Sequence, residues 1–287
     1  MHSGKARLAG VMGWPVGHSL SPLLHGTWFE RLAIDGVYVP LAVRPEDFTA
    51  AFRALPKLGF LGVNITLPHK EAAFAAVDHR ERSAERAGVV NTVLFGPGGR
   101  AVGLSTDGPG FLANLREQAP AWEATAGPAV LVGTGGAARA VAVALLETGV
   151  PRLRLTNRTA EKARALALAL EGLGLGPVEL VPWESRHDAL EGAMLVVNGT
   201  SQGMAGQPPL DLRLDALPRP AAVADLVYTP LETPLLARAR ARGHSVVDGL
   251  GMLIHQAVPG FRHWGGVEPP VDAAIRATLL TALAQRA

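Results

Sequence analysis

Short continuous apolar runs alternate with amphipathic stretches along most of this chain of 287 residues. Such runs are typical of strands buried on both faces of a sheet, and the stretches between them have the spacing of helices. The pattern therefore predicts an α/β fold, and a chain of this length is expected to form two domains.

In the first hundred residues, a glycine-rich turn at Gly96–Gly99 separates two apolar segments and indicates a hairpin. This part is expected to form a mixed sheet with the antiparallel element at one edge. The predicted strands are Leu8–Met12, Val37–Val43, Phe60–Thr66, Val89–Phe95 and Ala101–Ser105, and the predicted helices are Pro22–Ala33, Pro45–Leu55 and one that begins near Lys70.

A regular strand–helix series begins at Ala129, after a helix from Asp107 toward Glu117 and a loop at Pro120–Pro128. It predicts a doubly wound parallel sheet of the Rossmann type. After Gly249 the chain is expected to be helical, with Pro269-Pro270 starting the last helix. The predicted strands are Ala129–Val132, Leu153–Thr156, Val178–Val181, Met194–Asn198, Ala222–Val227 and Ser245–Val247, and the predicted helices are Ala137–Glu147, Ala160–Glu171 and Thr233–Arg242.

The composition is that of an ordinary folded protein, with 48% hydrophobic residues, 18% charged residues and a formal net charge of +2. These values exclude wholesale disorder, and the scattered Lys and Arg residues favour no nucleic-acid partner. The absence of cysteine excludes disulfides, thiolate catalysis and cysteine-based zinc sites. Neither a membrane-spanning stretch nor a signal-peptide pattern is found, so a cytoplasmic location is expected.

Between the first strand and the first helix of the series, Gly133, Gly135 and Ala138 form the Gly-x-Gly-x-x-Ala pattern of a dinucleotide-binding unit. The first glycine allows a tight turn, the second lets the backbone approach a pyrophosphate, and the alanine permits close helix–strand packing. The helix that follows supplies amide donors and the positive end of its dipole. The alternative is a turn that is merely rich in small residues.

Asn157 and Arg158 end the next strand, at the place where an acid would hold the ribose of NAD. A guanidinium pairs with a ribose 2′-phosphate in fork geometry, whereas an acid repels it. Lys162 follows one helical turn later and adds a second cation. The segment therefore predicts NADP(H) as the cofactor. The alternative is a solvated turn with Thr159 as the helix N-cap, and both can hold together.

Two hydroxyl residues, Ser19 and Ser21, precede the first predicted helix. Alternating positions in an extended segment point the same way, so the pair could hold a carboxylate through neutral hydrogen bonds. The alternative is N-capping by either serine, with Pro22 at the first helical position.

Polar residues also gather where the strand Phe60–Thr66 ends, and ligands of open α/β sheets bind at such ends. Lys70 begins the helix there, and Asp107 begins another. A lysine and an aspartate that face one substrate hydroxyl form a reasonable acid–base pair. The alternatives are a solvated lysine and an aspartate that only caps its helix.

Together these segments resemble the family of shikimate dehydrogenases and shikimate/quinate dehydrogenases over nearly the whole chain. The resemblance is specific because many short motifs occur in matching order. They lie at Gly17–Pro22, Asn64–Lys70, Gly88–Val93, Thr106–Gly108, the glycine loop, Asn157–Thr159, Asp225–Tyr228 and Gly249–Leu253 with Gln256.

The resemblance implies a substrate-binding domain of residues 1–104 plus 249–287 and an NADP-binding Rossmann domain of residues 105–248. It implies that Lys70 gives and takes the proton, with Asp107 as its partner. The other implied contacts are Ser19 and Ser21 with the shikimate carboxylate and Tyr228 near it; Asn64, Thr66, Asn91, Asp107 and Gln256 with the hydroxyls; Gly133, Thr134, Gly135, Gly136, Ala137, Asn157, Arg158, Thr159 and Lys162 with NADP(H); and Leu226, Gly249 and Met252 around the nicotinamide.

The implied activity is the reversible NADPH-dependent reduction of 3-dehydroshikimate to shikimate, on the route to chorismate and the aromatic amino acids. A small-molecule substrate and a monomer or homodimer are expected. No metal is expected, because a lysine supplies the proton and no metal-ligand spacing occurs. One departure from the family is Gly199, where alanine is usual, and it is expected to add flexibility beside the cofactor.

Two alternative functions stay open beside this one. The first is a quinate/shikimate dehydrogenase that uses NAD. Arg158 disfavours NAD as its cofactor, and Ser21 disfavours quinate as its substrate, because the family resemblance associates a threonine at that position with enzymes that use quinate. A non-catalytic NADP-binding sensor on the same fold would tolerate the loss of Lys70 or Asp107, and both residues are present.

Overall fold

The computed structural model describes residues 2–285 and divides the chain into two units. The first comprises the residues up to Thr106 together with Gln256–Ala282. The second comprises Asp107–His255 and the described residues from Leu283. The predicted domain limits at residues 1 and 287 lie outside the described residues, and the domain roles implied by the family resemblance stay predictions.

The first unit is built on one six-stranded sheet. Its elements before Thr106 are β1 (Arg7–Gly13), α1 (Ser21–Arg31), β2 (Gly36–Ala42), α2 (Phe48–Ala54), β3 (Phe60–Ile65), α3 (Lys70–Ala76), β4 (His79–Arg80), α4 (Arg82–Ala87), β5 (Thr92–Phe95) and β6 (Ala101–Leu104).

The strand order in this sheet is β2-β1-β3-β5-β6-β4. β5 is antiparallel to both of its neighbours, β3 and β6, whereas the other pairs are parallel. The hairpin of β5 and β6 therefore does not lie at the edge of the sheet, because β4 pairs with β6 beyond it, and the expectation of an edge position is wrong. The physical reason is that β4 is only two residues long, too short to leave a pattern in the sequence.

The second unit contains six strands that pair only in parallel. Their order, β12-β11-β10-β7-β8-β9, is that of a doubly wound Rossmann sheet, so the predicted fold class is confirmed. The elements from Asp107 onward are α5 (Asp107–Gln118), β7 (Ala129–Val132), α6 (Gly136–Glu147), β8 (Leu153–Thr156), α7 (Ala160–Glu171), β9 (Val178–Leu180), β10 (Leu195–Asn198), β11 (Ala222–Asp225), α8 (Pro234–Ala241), β12 (Ser245–Val247), α9 (Gly249–Gly265) and α10 (Ala273–Ala284), of which α9 ends in the first unit and α10 belongs mainly to it.

Both faces of the second sheet are buried, as the continuous apolar runs predict. In β7, Ala129 and Leu131 pack in one core with residues of α6 and α7, whereas Val130 and Val132 pack in another core with residues of α8. All four side chains are fully buried. The two-residue period of a strand thus places successive side chains against helices on opposite faces.

An aromatic cluster fills the first unit between α1, β2 and the second half of α9. The imidazole of His25 stacks on Tyr38 with ring centroids 4.0 Å apart, and Trp28, Phe261 and Trp264 surround it within 6 Å. Aromatic contacts of this kind stabilise a core beyond the area that they bury. The cluster ties the end of α9 to elements from the start of the chain.

Several predicted boundaries differ from the observed ones. The helix expected at Pro45–Leu55 begins as a 3₁₀ turn, and α2 starts at Phe48. The last helix starts at Ala273 and not at Pro269-Pro270, because the Asp272 carboxylate accepts a hydrogen bond from Ile275 N at 3.0 Å. Arg31 also binds this carboxylate and lowers the pKa of Asp272 to about 2.

Candidate active site

The loops that follow β1 and β3 lie side by side, because these two strands are parallel neighbours. The backbone amide of Trp14 donates to the carbonyl of Leu67 at 3.0 Å and joins the loops. The first loop leads to Ser19, and the second leads to Lys70. The carboxyl edge of the first sheet therefore brings together the two loops that were expected to bind substrate.

The two serines are not helix caps. α1 begins at Ser21, and Leu20 occupies the N-cap position without a side-chain hydrogen bond. The hydroxyl oxygen of Ser19 accepts a hydrogen bond from Ser21 N at 3.2 Å, which leaves the Ser19 proton available for a ligand. Pro22 is the second helical residue, one position later than expected.

A buried network of amides and hydroxyls links three of the predicted substrate residues, Asn64, Asn91 and Gln256. Asn64 Nδ2 donates to Thr92 Oγ1 at 3.0 Å. Asn91 Nδ2 donates to Thr106 Oγ1 at 2.9 Å and to Gln256 Oε1 at 3.2 Å. The two threonine hydroxyls are 3.1 Å apart and close the network. Thr92 and Thr106 lie inside motifs of the family resemblance, but no pattern in the sequence assigns a role to their hydroxyls.

Tyr38 is a further residue that the sequence analysis missed. Its hydroxyl donates to Asn64 Oδ1 at 2.6 Å and fixes which end of the amide faces the network. Burial raises the pKa of Tyr38 well above its usual value, and burial lowers the pKa of the stacked His25 to about 3, so both rings are neutral at physiological pH. The available signal was a tyrosine in a buried strand, since such a hydroxyl needs a partner.

Lys70 is the first residue of α3 and is half-buried. Its carbonyl accepts from Val90 N at 3.1 Å, which ties the start of the helix to the sheet. The preceding His69 is buried, stacks on Phe48 and donates from Nε2 to the carbonyl of Val43 at 2.7 Å. These contacts fix the backbone from which the Lys70 side chain projects.

Two of the expected substrate residues, Asp107 and Tyr228, belong to the second unit. Asp107 is the buried first residue of α5. The next residue, Gly108, packs tightly on α6, because a Cβ there would stand 2.6 Å from the carbonyl oxygen of Ala140. The pairing of Asp107 with Lys70 stays a prediction.

The glycine loop has the tight turn and the open face that its sequence pattern predicts. Gly133 has a φ of +109°, and a Cβ there would stand 2.9 Å from the backbone of Gly199. A Cβ on Gly135 would meet nothing within 4 Å, so this side of the loop is open. α6 starts directly after it with no side-chain cap, which leaves its first amides to a ligand. Thr134, Gly136 and Ala137 are half-buried around this opening.

Arg158 and Lys162 are exposed at the end of β8 and the start of α7. Within residues 2–285 neither side chain takes part in an ion pair. Asn157 Nδ2 donates to the carbonyl of Thr159 at 2.9 Å and shapes the turn, while the Thr159 side chain makes no cap. A strand end with two uncommitted cations fits the 2′-phosphate of NADP(H).

The residues expected around the nicotinamide follow β11 and β12. Gly249 packs against the carbonyls of Leu226 and Val227 so closely that a Cβ would not fit. Met252 is buried one turn into α9 and contributes to the core beside the sheet. β11 ends at Asp225, two residues earlier than expected, so Leu226 lies in the loop and not in the strand.

Gly199 is a close-packing position, and the expectation of added flexibility does not describe it. A Cβ there would stand 2.8 Å from Ala138 Cβ and 3.2 Å from the carbonyl oxygen of Val132. The backbone of Gly199 also donates to that carbonyl at 2.8 Å. The glycine therefore lets the loop after β10 lie against the start of α6.

Of the helices within residues 2–285, none has both the length and the apolar character to cross a membrane. The same residues contain no group of three His, Asp or Glu side chains able to hold a metal ion.

Comparison with known proteins assigns the family. Residues 11–93 match the model of the shikimate dehydrogenase substrate binding domain, and residues 249–279 match the model of the shikimate 5′-dehydrogenase C-terminal domain. Shikimate dehydrogenase (NADP(+)) of Rhodospirillum rubrum is 58% identical over 280 residues, which cover 98% of this chain and 99% of the relative. The chain belongs to the shikimate dehydrogenase family. The predicted family is confirmed, and the name of this relative carries the cofactor predicted from the glycine loop and Arg158.

Solved members of the shikimate dehydrogenase family share the fold. Shikimate 5-dehydrogenase from Thermus thermophilus, in complex with NADP(H) and shikimate, has a TM-score of 0.83 at 38% identity, and the match covers 95% of this chain and 98% of that one. Quinate dehydrogenase from Corynebacterium glutamicum, in complex with NAD, has a TM-score of 0.88 at 34% identity and coverage of 96% and 99%. Proteins named for different substrates therefore have this fold, so the fold alone does not determine the substrate, and individual residues of the site must do so.

Proposed function

We propose that this protein catalyses the reversible NADPH-dependent reduction of 3-dehydroshikimate to shikimate, in the cytoplasm and in the biosynthesis of aromatic amino acids. The observation that carries the proposal is the similarity of nearly the whole chain to relatives named shikimate dehydrogenase (NADP(+)), which are 58% and 55% identical to it. The open glycine loop and the uncommitted cation at Arg158 support the choice of cofactor. In this proposal the first unit supplies most of the substrate contacts, and the second unit binds NADP(H) and supplies Asp107 and Tyr228.

The proposed chemistry divides between the bound cofactor and the side chains of this chain. NADPH, when bound, supplies a hydride to the ring ketone. Lys70 gives a proton to the ketone oxygen in the reduction and takes it back in the reverse direction, and Asp107 orients the lysine and the hydroxyl. Ser19 and Ser21 hold the carboxylate of the ring through neutral hydrogen bonds.

Recognition of the ring hydroxyls is assigned to the buried network around Asn64 and Asn91. Its members hold each other at fixed distances, so the donors and acceptors are oriented before substrate arrives. An analogue that lacks a ring hydroxyl would lose its hydrogen bond to this network and would bind more weakly. Thr66, at the end of β3, and Tyr228 complete the proposed substrate contacts.

The assay that tests the proposal combines two substrates with two cofactors. We expect oxidation of shikimate with NADP⁺ to be the fastest of the four reactions, measured as the appearance of NADPH absorbance. Faster oxidation of quinate with NAD⁺ would contradict the proposal in favour of a quinate dehydrogenase. NADP⁺ binding without turnover of either substrate would favour the non-catalytic sensor.

Tyr38→Phe tests the hydroxyl that holds Asn64. The variant keeps the ring on His25 but removes the hydroxyl's hydrogen bonds to Asn64 Oδ1 and to the Ser21 side chain. We expect KM for shikimate to rise about five- to tenfold, as a hydrogen bond of roughly 1 kcal/mol predicts, with KM for NADP⁺ nearly unchanged. Steady-state kinetics measure both constants, and a thermal melt checks that the fold is retained. An unchanged KM for shikimate would show that Asn64 needs no support from Tyr38.

A further inference from the structure

Asp225, the last residue of β11, is a buried carboxylate that the proposed chemistry does not use. Its Oδ1 accepts from Asn198 Nδ2 and from Val227 N, both at 3.0 Å. Its Oδ2 accepts from Thr233 Oγ1 at 2.7 Å. The side chain is 1% exposed, and burial raises the pKa of Asp225 to about 6 against the opposing effect of these three donors. The carboxylate is therefore ionised at pH 7.5 and faces only donors.

The three donors come from three different segments. Asn198 ends β10, Val227 lies in the loop after β11, and Thr233 is the N-cap of α8, where its oxygen also accepts from Leu236 N at 3.3 Å. A single carboxylate thus joins one strand end, one loop and one helix start. Removing it would leave buried donors without partners, which costs more than the loss of ordinary surface contacts.

The loop that Asp225 holds is the one that carries Leu226 and Tyr228. Leu226 N donates to the carbonyl of Asn198 at 3.0 Å, and the carbonyl of Thr229 accepts from Ala205 N at 2.8 Å. On the other side, Gly249 lies against the carbonyls of Leu226 and Val227. The loop backbone is therefore held at Leu226, Val227 and Thr229. At Val227 the backbone amide donates its hydrogen bond to the Asp225 carboxylate.

We propose that Asp225 is a positioning residue for the nicotinamide half of the cofactor, acting through the backbone of Leu226–Tyr228. The inference rests on the proposed function, in which Leu226 lines the nicotinamide pocket. The adenosine half is assigned to other residues, namely the glycine loop and Arg158, and within residues 2–285 the hydrogen bonds of the Asp225 carboxylate go to Asn198, Val227 and Thr233 instead. Loss of the carboxylate should therefore weaken binding of the whole cofactor and leave binding of its adenosine 2′-phosphate part unchanged.

The test compares two ligands by isothermal titration calorimetry at pH 7.5: NADP⁺ and adenosine 2′,5′-bisphosphate, which lacks the nicotinamide. For Asp225→Ala we expect the Kd of NADP⁺ to rise on the order of tenfold or more, because buried donors lose their acceptor. The Kd of the bisphosphate should stay within about twofold of the unaltered protein, a change of less than half a kcal/mol.

The conservative variant Asp225→Asn should restore most of the affinity for NADP⁺. Its amide oxygen can still accept from Asn198 and Val227, and its amide nitrogen can donate to Thr233 Oγ1, which has a free lone pair. The matched control is Asp215→Asn, which removes one negative charge from an exposed pair with Arg242 and should change neither Kd.

Two results for Asp225→Ala would overturn the inference: an equal rise in the Kd of both ligands, or an unchanged Kd of NADP⁺. If Asp225→Ala does not fold, Thr233→Val and Thr233→Ser form the decisive pair, because only the serine keeps the donor to Oδ2 and the cap of α8. Equal Kd values for NADP⁺ in that pair would again overturn it. Failure of the unaltered protein to bind NADP⁺ would instead contradict the proposed function and remove the basis of the inference.

Discussion

Lys70→Ala is expected to lower kcat by roughly 10²- to 10⁴-fold, the usual contribution of a general acid–base group. The Kd of NADP⁺ should change little, since Lys70 lies in the first unit and the proposed cofactor contacts lie in the second. The backbone of Lys70 is fixed by α3 and by the bond from Val90, so the variant removes the ammonium group and leaves its support in place. Steady-state assays and calorimetry measure the two quantities separately.

Two further variants make this result specific. Lys57→Ala removes an exposed lysine of the same unit and should leave kcat unchanged. Lys70→Arg keeps the positive charge, but a guanidinium stays protonated and does not exchange the proton. A slow Lys70→Arg therefore supports proton transfer, whereas near-normal turnover in Lys70→Ala would remove the lysine from the reaction. The pH–rate profile of Asp107→Asn then separates a role in proton transfer from a role in orientation.

Arg158→Ala is expected to raise KM for NADPH roughly tenfold to a hundredfold and to leave KM for NADH nearly unchanged. Hydrogen bonds to charged groups contribute about 1.5–3 kcal/mol, and only NADPH carries the 2′-phosphate that the guanidinium can bind. Because Arg158 is exposed and its side chain has no ion pair or hydrogen bond among the described residues, its removal breaks no polar contact within them.

Arg164→Ala is the matched control for this prediction. Arg164 is an exposed arginine on α7, a short distance along the chain from the turn, and its loss changes the net charge by the same amount. We expect no change in the preference between the two cofactors. Equal increases in KM for NADPH and NADH in Arg158→Ala would refute the assignment of the 2′-phosphate site.

The predictable parts of the fold are those in which the pattern of hydrophobic residues continues over several strands and helices. The central strands of the second unit are mainly apolar runs of a doubly wound sheet, and β7 and β8 have their predicted bounds. β4 and α4 were not predicted because they span only two and six residues, which is too short to show the hydrophobic period of a strand or a helix. Because β4 lies beyond β6, the hairpin of β5 and β6 does not end the sheet.

Local backbone shapes in the candidate site were predictable where a motif requires a particular residue type. The glycine loop is an example, since its left-handed turn at Gly133 needs glycine. Tyr38 and Asp225 were not predictable, because their roles depend on partners distant in the sequence. Only the folded chain brings the Tyr38 hydroxyl to Asn64, 26 positions away, and the Asp225 carboxylate to Asn198, 27 positions away.

The aromatic cluster has a consequence for the order of events on the ribosome. Phe261 and Trp264 complete the packing around His25, and Arg7 donates to the carbonyl of Trp264 at 2.8 Å, although more than 230 residues separate these ends of the chain. The Rossmann sheet, by contrast, is encoded in one continuous segment. During synthesis the Rossmann sheet can therefore form first, whereas the part of the first unit that is made earlier completes its packing only after α9 has been synthesised.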